Sequence, residues 1–504
     1  MNSNTSFESK NSEIAINPKN PMSDSLKEIK SQLTALHQSM AEVQEEFASL
    51  LKSIHPVNRE SGLNFLKYLI LRKTDVRDLQ LLLHENGLSS LASCESHTHR
   101  QIQVTLQHLG SKFGELDPCT MELGTKKIEE NSQRLFGEKS ENWPSAVMVT
   151  FDASFLKEKD LISKLLKKGM GTARINCAHD DESVWQEMVD RIRLASKETG
   201  IPCKIHVDLA GPKIRTKLLA KGRKKGRVKI ENGQTVWLSN TSKGFRAKDT
   251  VISPNEPGVI EGLKPGDRVF IDDGLILAVV EKAEKDKAEL KITRISSKKP
   301  FIKNEKGINF PDCSLQISSL TDFDRECLNF VCANADTVGF SFVRSAHDIA
   351  DLRLALQEIV ADIPFIILKI ETHEAVKNLP SLLLEAMKDE VCGVMIARGD
   401  LAVEIGFERL VEIQDEILWL CEAAHVPVIW ATQVLENLHK SGVATRAEVT
   451  DAGHAARAEC IMINKGIHTI EVLKTLRDIS QRSVALRIKN RLVFRPLNIA
   501  KDFF

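Results

Sequence analysis

Short apolar runs in the second half of the chain end, one after another, in residues that bind metal ions, phosphate or protons. Phe365-Ile366-Ile367 runs into Leu368-Lys369-Ile370-Glu371. A second apolar run ends in Ile396-Ala397-Arg398-Gly399-Asp400-Leu401. Val426-Pro427-Val428-Ile429-Trp430 leads to Ala431-Thr432-Gln433. Each is followed by a helical pattern. Repeated strand–site–helix units predict a parallel barrel that gathers its functional residues at the strand C-termini.

Earlier and later runs complete the count. Strands are expected at Ala146–Phe151, then ending at Arg174-Ile175-Asn176, His206-Val207-Asp208 and Gly339-Phe340-Ser341, with the eighth at Cys460–Ile463. The third and fourth lie too far apart for one crossover helix. The intervening stretch alternates and carries the turn signals Glu231-Asn232-Gly233, Pro265-Gly266-Asp267 and Asp272-Asp273-Gly274. It reads as an inserted all-β domain. The expected fold class is α/β: a (β/α)8 TIM barrel over 144–216 and 307–488, a β lid over 217–306, and a C-terminal tail over 489–504.

The first part of the chain is different. Residues 1–22 are rich in Ser, Asn and Lys and read as disordered. Residues 23–143 read as a helical domain without a catalytic motif. Leu26, Ile29, Leu33, Leu36, Met40, Val43, Phe47, Leu50 and Ile54 form a heptad seam, with a Ser25/Glu28 capping box at its start. The seam fits a coiled coil, or a helix docked on its own domain. Further helices are expected near 60–72, 74–86 (N-cap Thr74) and 90–112. His97 and His99 do not share a helix face, which argues against a metal pair.

Lys+Arg and Asp+Glu balance at 69 each. No global field favours nucleic acid or an anionic membrane, although Lys221–Lys229 is locally basic. No apolar run approaches the ~18 residues of a membrane helix, and the start lacks a secretory pattern. Ten scattered cysteines without a CxxC point to a reducing, cytoplasmic setting.

Taken together, the motifs resemble the pyruvate kinase family. They are Ala173-Arg174-Ile175-Asn176, Gly211-Pro212-Lys213-Ile214-Arg215-Thr216, Asp272-Asp273-Gly274, Lys306-Gly307-Ile308-Asn309, Lys369-Ile370-Glu371, Ala397–Leu401, Ala431-Thr432-Gln433 and Thr445-Arg446-Ala447-Glu448. The resemblance covers about 144–480 and keeps the family's order. It implies a hinged β lid closing over a nucleotide, with phosphoryl transfer from phosphoenolpyruvate to ADP giving pyruvate and ATP.

The residue chemistry agrees with that expectation. Glu371 and Asp400 are hard oxygen ligands suited to Mg²⁺ or Mn²⁺. Lys369 shares a strand face with Glu371 and would sit by the transferring phosphoryl. Arg174 can grip phosphate through its planar fork, and Ser341 can add a hydrogen bond. The N–H groups of Gly399 and Asp400 open a helix and can hold the substrate carboxylate. By resemblance, Thr432 helps to protonate the enolate, and His179, Arg215 and Lys306 face the nucleotide phosphates.

Departures from the family pattern carry expectations too. Asn176 and Asp208 keep two positions of the family's potassium site, but Ala178 and Leu209 stand where Ser and Thr would supply oxygen. Lys213 replaces a glutamate of potassium-using members. Lys213 is therefore expected to act as an internal cation, making K⁺ unnecessary. Asn464–Thr469 stands in place of a longer Ser-Gly-Glu loop. About forty residues follow the eighth strand, so no C-terminal regulatory domain is expected. A homodimer through the barrel helices is expected, with an unknown partner for the N-terminal helices. Two alternatives remain: a catalytically weakened regulatory or binding protein, and a metal-dependent enolate enzyme (aldolase or lyase) on a related barrel.

Overall fold

In the computed structural model, the structure describes residues 23–484 except 142, 159, 257, 297–298 and 314–316. It also describes the backbone of a short hairpin, Arg487–Ile488 with Arg491–Leu492. The expected disordered stretch 1–22 lies outside the described residues, as does the tail over 489–504 apart from that hairpin strand.

Eight parallel strands close a barrel. In chain order they are Ala146–Thr150, Thr172–Asn176, Lys204–Asp208, Thr337–Phe340, Phe365–Ile370, Gly393–Ala397, Val428–Ala431 and Cys460–Ile463. The first pairs with both the second and the eighth, which leaves no open edge. Their residues are almost wholly buried. Continuous apolar runs suit strands covered on both faces.

The insertion forms a seven-stranded sheet bounded by Thr216–Leu218 at one edge and Ile308–Asn309 at the other. A separate apolar cluster fills it, from Ile214 to Phe310, with Val236, Val269 and Leu290 fully buried. The alternating burial of Ile276–Ala283 and Lys287–Ile295 matches the period of a half-buried strand.

Among the described residues six α-helices precede the barrel: α1 (Asp24–Glu46), α2 (Ala48–Ser53), α3 (Arg59–Lys73), α4 (Arg77–Glu85), α5 (Thr98–His108) and α6 (Met121–Phe136). The apolar seam of α1 is spent inside the chain. Ile29, Leu33, Leu36, Met40 and Val43 are buried, and α1 packs on α3, α4 and α5. The docked arrangement is therefore the one adopted. The seam also breaks at Phe47, between α1 and α2.

Several helix ends differ from expectation. The α1 cap is Ser23, whose hydroxyl accepts from the Leu26 N–H, rather than Ser25 with Glu28. Thr74 closes α3 instead of opening α4, where the Asp75 carboxylate accepts from the Arg77 N–H. The helix expected over 90–112 is confined to Thr98–His108 and is preceded by a 3₁₀ turn at Glu95–His97. The two histidines diverge. His97 contacts Ser96, while His99 bridges His37 (2.7 Å) and Asp117 (2.9 Å), and Lys67 also donates to Asp117.

The helices dock at the end of the barrel opposite the strand C-termini. Asn58 donates to the carbonyl of Asp389 (2.8 Å), and Asn64 to that of Ala423 (2.8 Å). His425 Nδ1 lies 2.9 Å from the Ser61 hydroxyl. Leu135 and Phe136, at the end of α6, join the barrel-interior cluster with Met148, Met395 and Met462. The remaining helices share one continuous apolar cluster with the outer barrel. Among the described residues, no helix is long and apolar enough to cross a membrane.

Candidate active site

The strand C-termini surround a cavity of about 150 Å³. Lys369 and Glu371 reach it from the fifth strand, Gly399 and Asp400 from the sixth, and Thr432 from the seventh. Arg174, Asn176 and His179 approach from the second strand and its loop. Ser341 arrives from the fourth, and Lys213 and Arg215 from the segment leading into the lid. Two predicted residues are absent from the lining. Lys306 turns to Asp272 on the lid (2.9 Å), and Asp208 lies beneath the cavity, fully buried.

Lys369 is buried and donates to the Ser341 hydroxyl at 2.6 Å. Its ammonium is 3.3 Å from Glu371 and 3.5 Å from Asp208. Burial works against the charge, but Asp208 and Glu371 more than offset it and raise the pKa above the ordinary lysine value. The site thus holds a fixed cation on its floor. Ser341 passes its own hydrogen to the Leu209 carbonyl at 2.6 Å, so this hydroxyl orients Lys369 rather than pointing a donor at the cavity.

Glu371 accepts from the Phe342 N–H at 2.7 Å. Burial pushes its carboxyl upward; Lys369 opposes that shift, and the like charge of Asp400 reinforces it. A divalent cation between the two carboxylates would relieve both burdens. Among the described residues no set of three His, Cys, Asp or Glu could hold a metal alone. A two-carboxylate site suits a Mg²⁺ or Mn²⁺ that keeps water or substrate oxygens in its shell.

Gly399 and Asp400 lie in the first turn of the helix Arg398–Ile405, where backbone N–H groups lack intrahelical partners. Beside them, Thr432 and Gln433 have φ of 65° and 58°. A β-branched residue in the left-handed region is strained, and such strain clusters at working sites. The Thr432 hydroxyl is buried without a hydrogen-bond partner among the described residues. Arg398 holds this turn in place. It donates to the carbonyls of Ala431 (2.9 Å) and Thr432, pairs with Asp451 at 2.5 Å, and lies 4.9 Å from the Trp430 ring centroid. The sequence motif contains Arg398, but its partners lie on another strand and helix.

The monovalent-cation region differs in detail from expectation. Lys213 contacts Asp400 rather than Asp208, at 2.9 and 3.0 Å from the two carboxylate oxygens. Asp208 pairs with Arg174 at 2.6 Å and with His206 at 2.8 Å. Burial alone would raise the Asp208 pKa; Arg174 and Lys369 hold it well below the carboxylate range. The Asn176 side-chain oxygen accepts from the Ala178 N–H at 2.9 Å, and Ala178 and Leu209 contribute only apolar side chains. On the adjoining rim, Lys465 meets Asp152 at 3.4 Å, joining the loop after the eighth strand to the loop after the first. Burial, Lys465 and Arg215 together lower the His179 pKa.

The family model for the pyruvate kinase barrel domain matches residues 146–467. The chain is 31% identical to a pyruvate kinase of Staphylococcus saprophyticus over 345 residues, covering 67% of this chain and 56% of that protein. It is 32% identical to a pyruvate kinase of Leishmania mexicana over 344 residues, covering 66% of each. A crystal structure of a pyruvate kinase from Cryptosporidium parvum superposes with a TM-score of 0.61 and 26% identity, covering 70% of this chain and 72% of that one. The chain thus spans little more than half the length of the staphylococcal relative. The matched region contains the eight strands and the cavity at their ends, and on that basis the chain belongs to the pyruvate kinase family.

Proposed function

We propose that the chain transfers a phosphoryl group from phosphoenolpyruvate to ADP, giving pyruvate and ATP, with Mg²⁺ or Mn²⁺ held by Glu371 and Asp400. The carrying observation is the convergence of Lys369, Glu371, Asp400 and Thr432 on one cavity. Glu371 and Asp400 would hold that metal, which would supply positive charge to offset the charge developing on the substrate oxygens.

The chain's own residues divide the remaining work. Lys369 and Arg174 face the phosphoryl oxygens as fixed cations, which stabilise charge where it accumulates during transfer. An oxygen of the ADP β-phosphate forms the new P–O bond as the enolate oxygen leaves. The Gly399 and Asp400 N–H groups hold the carboxylate. The Thr432 hydroxyl stands on the face from which the enolate carbon takes its proton through water. His179, Arg215 and Lys306 bind nucleotide phosphates as the lid over 217–306 closes onto the barrel. With Lys213 supplying fixed positive charge at Asp400, on the cavity that Asn176 also lines, K⁺ is not required. The enzyme works in the cytoplasm as a homodimer, joined through barrel helices around Thr445–Glu448.

One observation favours a second reading, a catalytically weakened binding protein: Lys213 already neutralises a proposed metal ligand. A pyruvate-forming assay from phosphoenolpyruvate, with and without ADP, separates the readings. ADP-dependent turnover supports the transferase, binding without turnover supports the weakened protein, and ADP-independent pyruvate chemistry supports an enolate enzyme.

A further inference from the structure

His206 lies on the third barrel strand two residues before Asp208, so both side chains point into the barrel. Both are fully buried. His206 Nε2 is 2.8 Å from Asp208 Oδ1, and Nδ1 is 2.9 Å from the Thr337 hydroxyl on the neighbouring strand. The other edge of the carboxylate is used differently. Asp208 Oδ2 accepts from Arg174 Nε at 2.8 Å and Nη2 at 2.6 Å, with Lys369 Nζ at 3.5 Å. One oxygen is thus held by the barrel interior, and the other aligns two cations that line the cavity.

The strand register provides the space. Thr337 stands opposite His206, and Gly339 opposite Asp208. A Cβ at Gly339 would fall 1.8 Å from Asp208 Oδ1 and 2.8 Å from His206 Nε2. Any side chain there would expel the pair, so Gly339, His206 and Asp208 form one spatial unit.

We propose that His206 is a positioning residue: its Nε2–H, oriented by Thr337, fixes the Asp208 carboxylate and through it the placement of Arg174 and Lys369. The imidazole does not reach the cavity and moves no proton in the reaction. It acts at one remove, by keeping a buried carboxylate from turning away from the two cations. Without the donor, Asp208 Oδ1 is left buried and unpaired, and the carboxylate rotates to recover a partner. A displacement of about 1 Å in such a constellation can cost on the order of 100-fold in rate. This inference rests on the transferase reading for its kinetic consequences and on the hydrogen-bond geometry alone for the tautomer.

The test compares His206→Leu, which removes the donor at similar bulk, with His206→Gln, whose amide can restore an N–H toward Asp208. In the full-length protein, His206→Leu is expected to lose roughly 10- to 100-fold in kcat/KM for phosphoenolpyruvate, while KM for ADP stays within about two-fold. His206→Gln is expected to recover most of that loss. Equal losses in both variants at matched thermal stability, or wild-type kinetics in His206→Leu, overturn the proposal. If His206→Leu does not fold, Thr337→Val carries the test: a loss of about three-fold or more is expected, and no change overturns it. Nitrogen-15 NMR of histidine-labelled protein is expected to place the ring hydrogen on Nε2; a hydrogen on Nδ1 alone overturns the proposal. That readout needs no turnover, so a chain without transferase activity would sink the functional reading and leave this one separately decided.

Discussion

The Lys213 ammonium spans both carboxylate oxygens of Asp400, at 2.9 and 3.0 Å. Lys213 belongs to the segment that leads into the lid, and Asp400 to the first turn of a barrel helix. One contact therefore ties the lid's base to a proposed metal ligand. Lys213→Glu would replace this attraction with two facing carboxylates. Turnover of phosphoenolpyruvate is expected to collapse in that variant, and added K⁺ to restore only part of it, because Ala178 and Leu209 still lack ligand oxygens. The unmodified protein is expected to work almost equally in sodium, tetramethylammonium and potassium buffers of matched ionic strength. Strong K⁺ activation of the unmodified protein would refute the role given to Lys213.

Lys369 is the cation most tightly built into the floor, between Ser341, Glu371 and Asp208. Lys369→Met keeps the aliphatic length and removes the charge. A loss of about 100- to 1,000-fold in kcat is expected, the scale found when one preorganised donor is deleted. The comparison with Asp400→Ala adds a second arm. In that variant the response to added Mg²⁺ is expected to vanish, whereas Lys369→Met is expected to keep metal binding. Near-normal transfer by Lys369→Met, or an unchanged Mg²⁺ titration in Asp400→Ala, contradicts the assignment.

The strand ends were legible because each barrel strand is a short apolar run whose last residues change abruptly to chemistry. The helix edges were less so. Ser23, Asp24 and Ser25 offer competing caps; Ser23 takes the role, while the Ser25 hydroxyl donates to Asn86 at 3.4 Å across 61 residues. Thr74 sits before a helical pattern, yet Asp75 supplies the N-terminal contact and leaves Thr74 to end the helix before. The roles of His206 and Gly339 could not be read along the chain, because they arise from the pairing of Gly339 with Asp208 across two strands some 130 residues apart. Lys213 stood out by its charge, but its partner depends on how the lid's base lies against the helix that begins at Arg398. The seam of α1 had the right period for a coiled coil; which surface it covers is decided by α3, α4 and α5.

Glu404 gives a pH signature. It lies one turn beyond Asp400, accepts from the Asn309 side chain at 2.9 Å, and has its pKa raised from 4.5 to about 7. Burial is the main cause; Asn309 opposes it and Asp400 adds to it. The folded state therefore binds this proton more tightly than the unfolded chain. Stability falls as pH rises from 4.5 to 7 and is level above that window. Glu404→Gln removes the penalty while keeping an acceptor for Asn309. Urea unfolding with EDTA present is expected to show no gain at pH 4 and a gain of up to about 3 kcal/mol at pH 8. An equal effect at both pH values would mean that ionisation is not the cause.

The helices before the barrel are expected to act as part of its core. Leu33 is fully buried in α1, within the apolar cluster that continues into the barrel's outer helices. Leu33→Ala leaves a cavity and is expected to lower unfolding stability by about 2–5 kcal/mol. Because the seam packs on α3, α4 and α5 of the same chain, this loss is expected to be independent of protein concentration. Barrel and helices are also expected to melt in one transition, followed by far-ultraviolet circular dichroism and by the fluorescence of the five tryptophans, among them Trp185 on an outer barrel helix and Trp430 on the seventh strand. A seam shared between chains would behave differently. The difference in melting temperature between Leu33→Ala and the unmodified protein would vary with concentration, and Leu33→Ala would change the mass measured by light scattering. Either result would show that α1 takes its partner from another molecule.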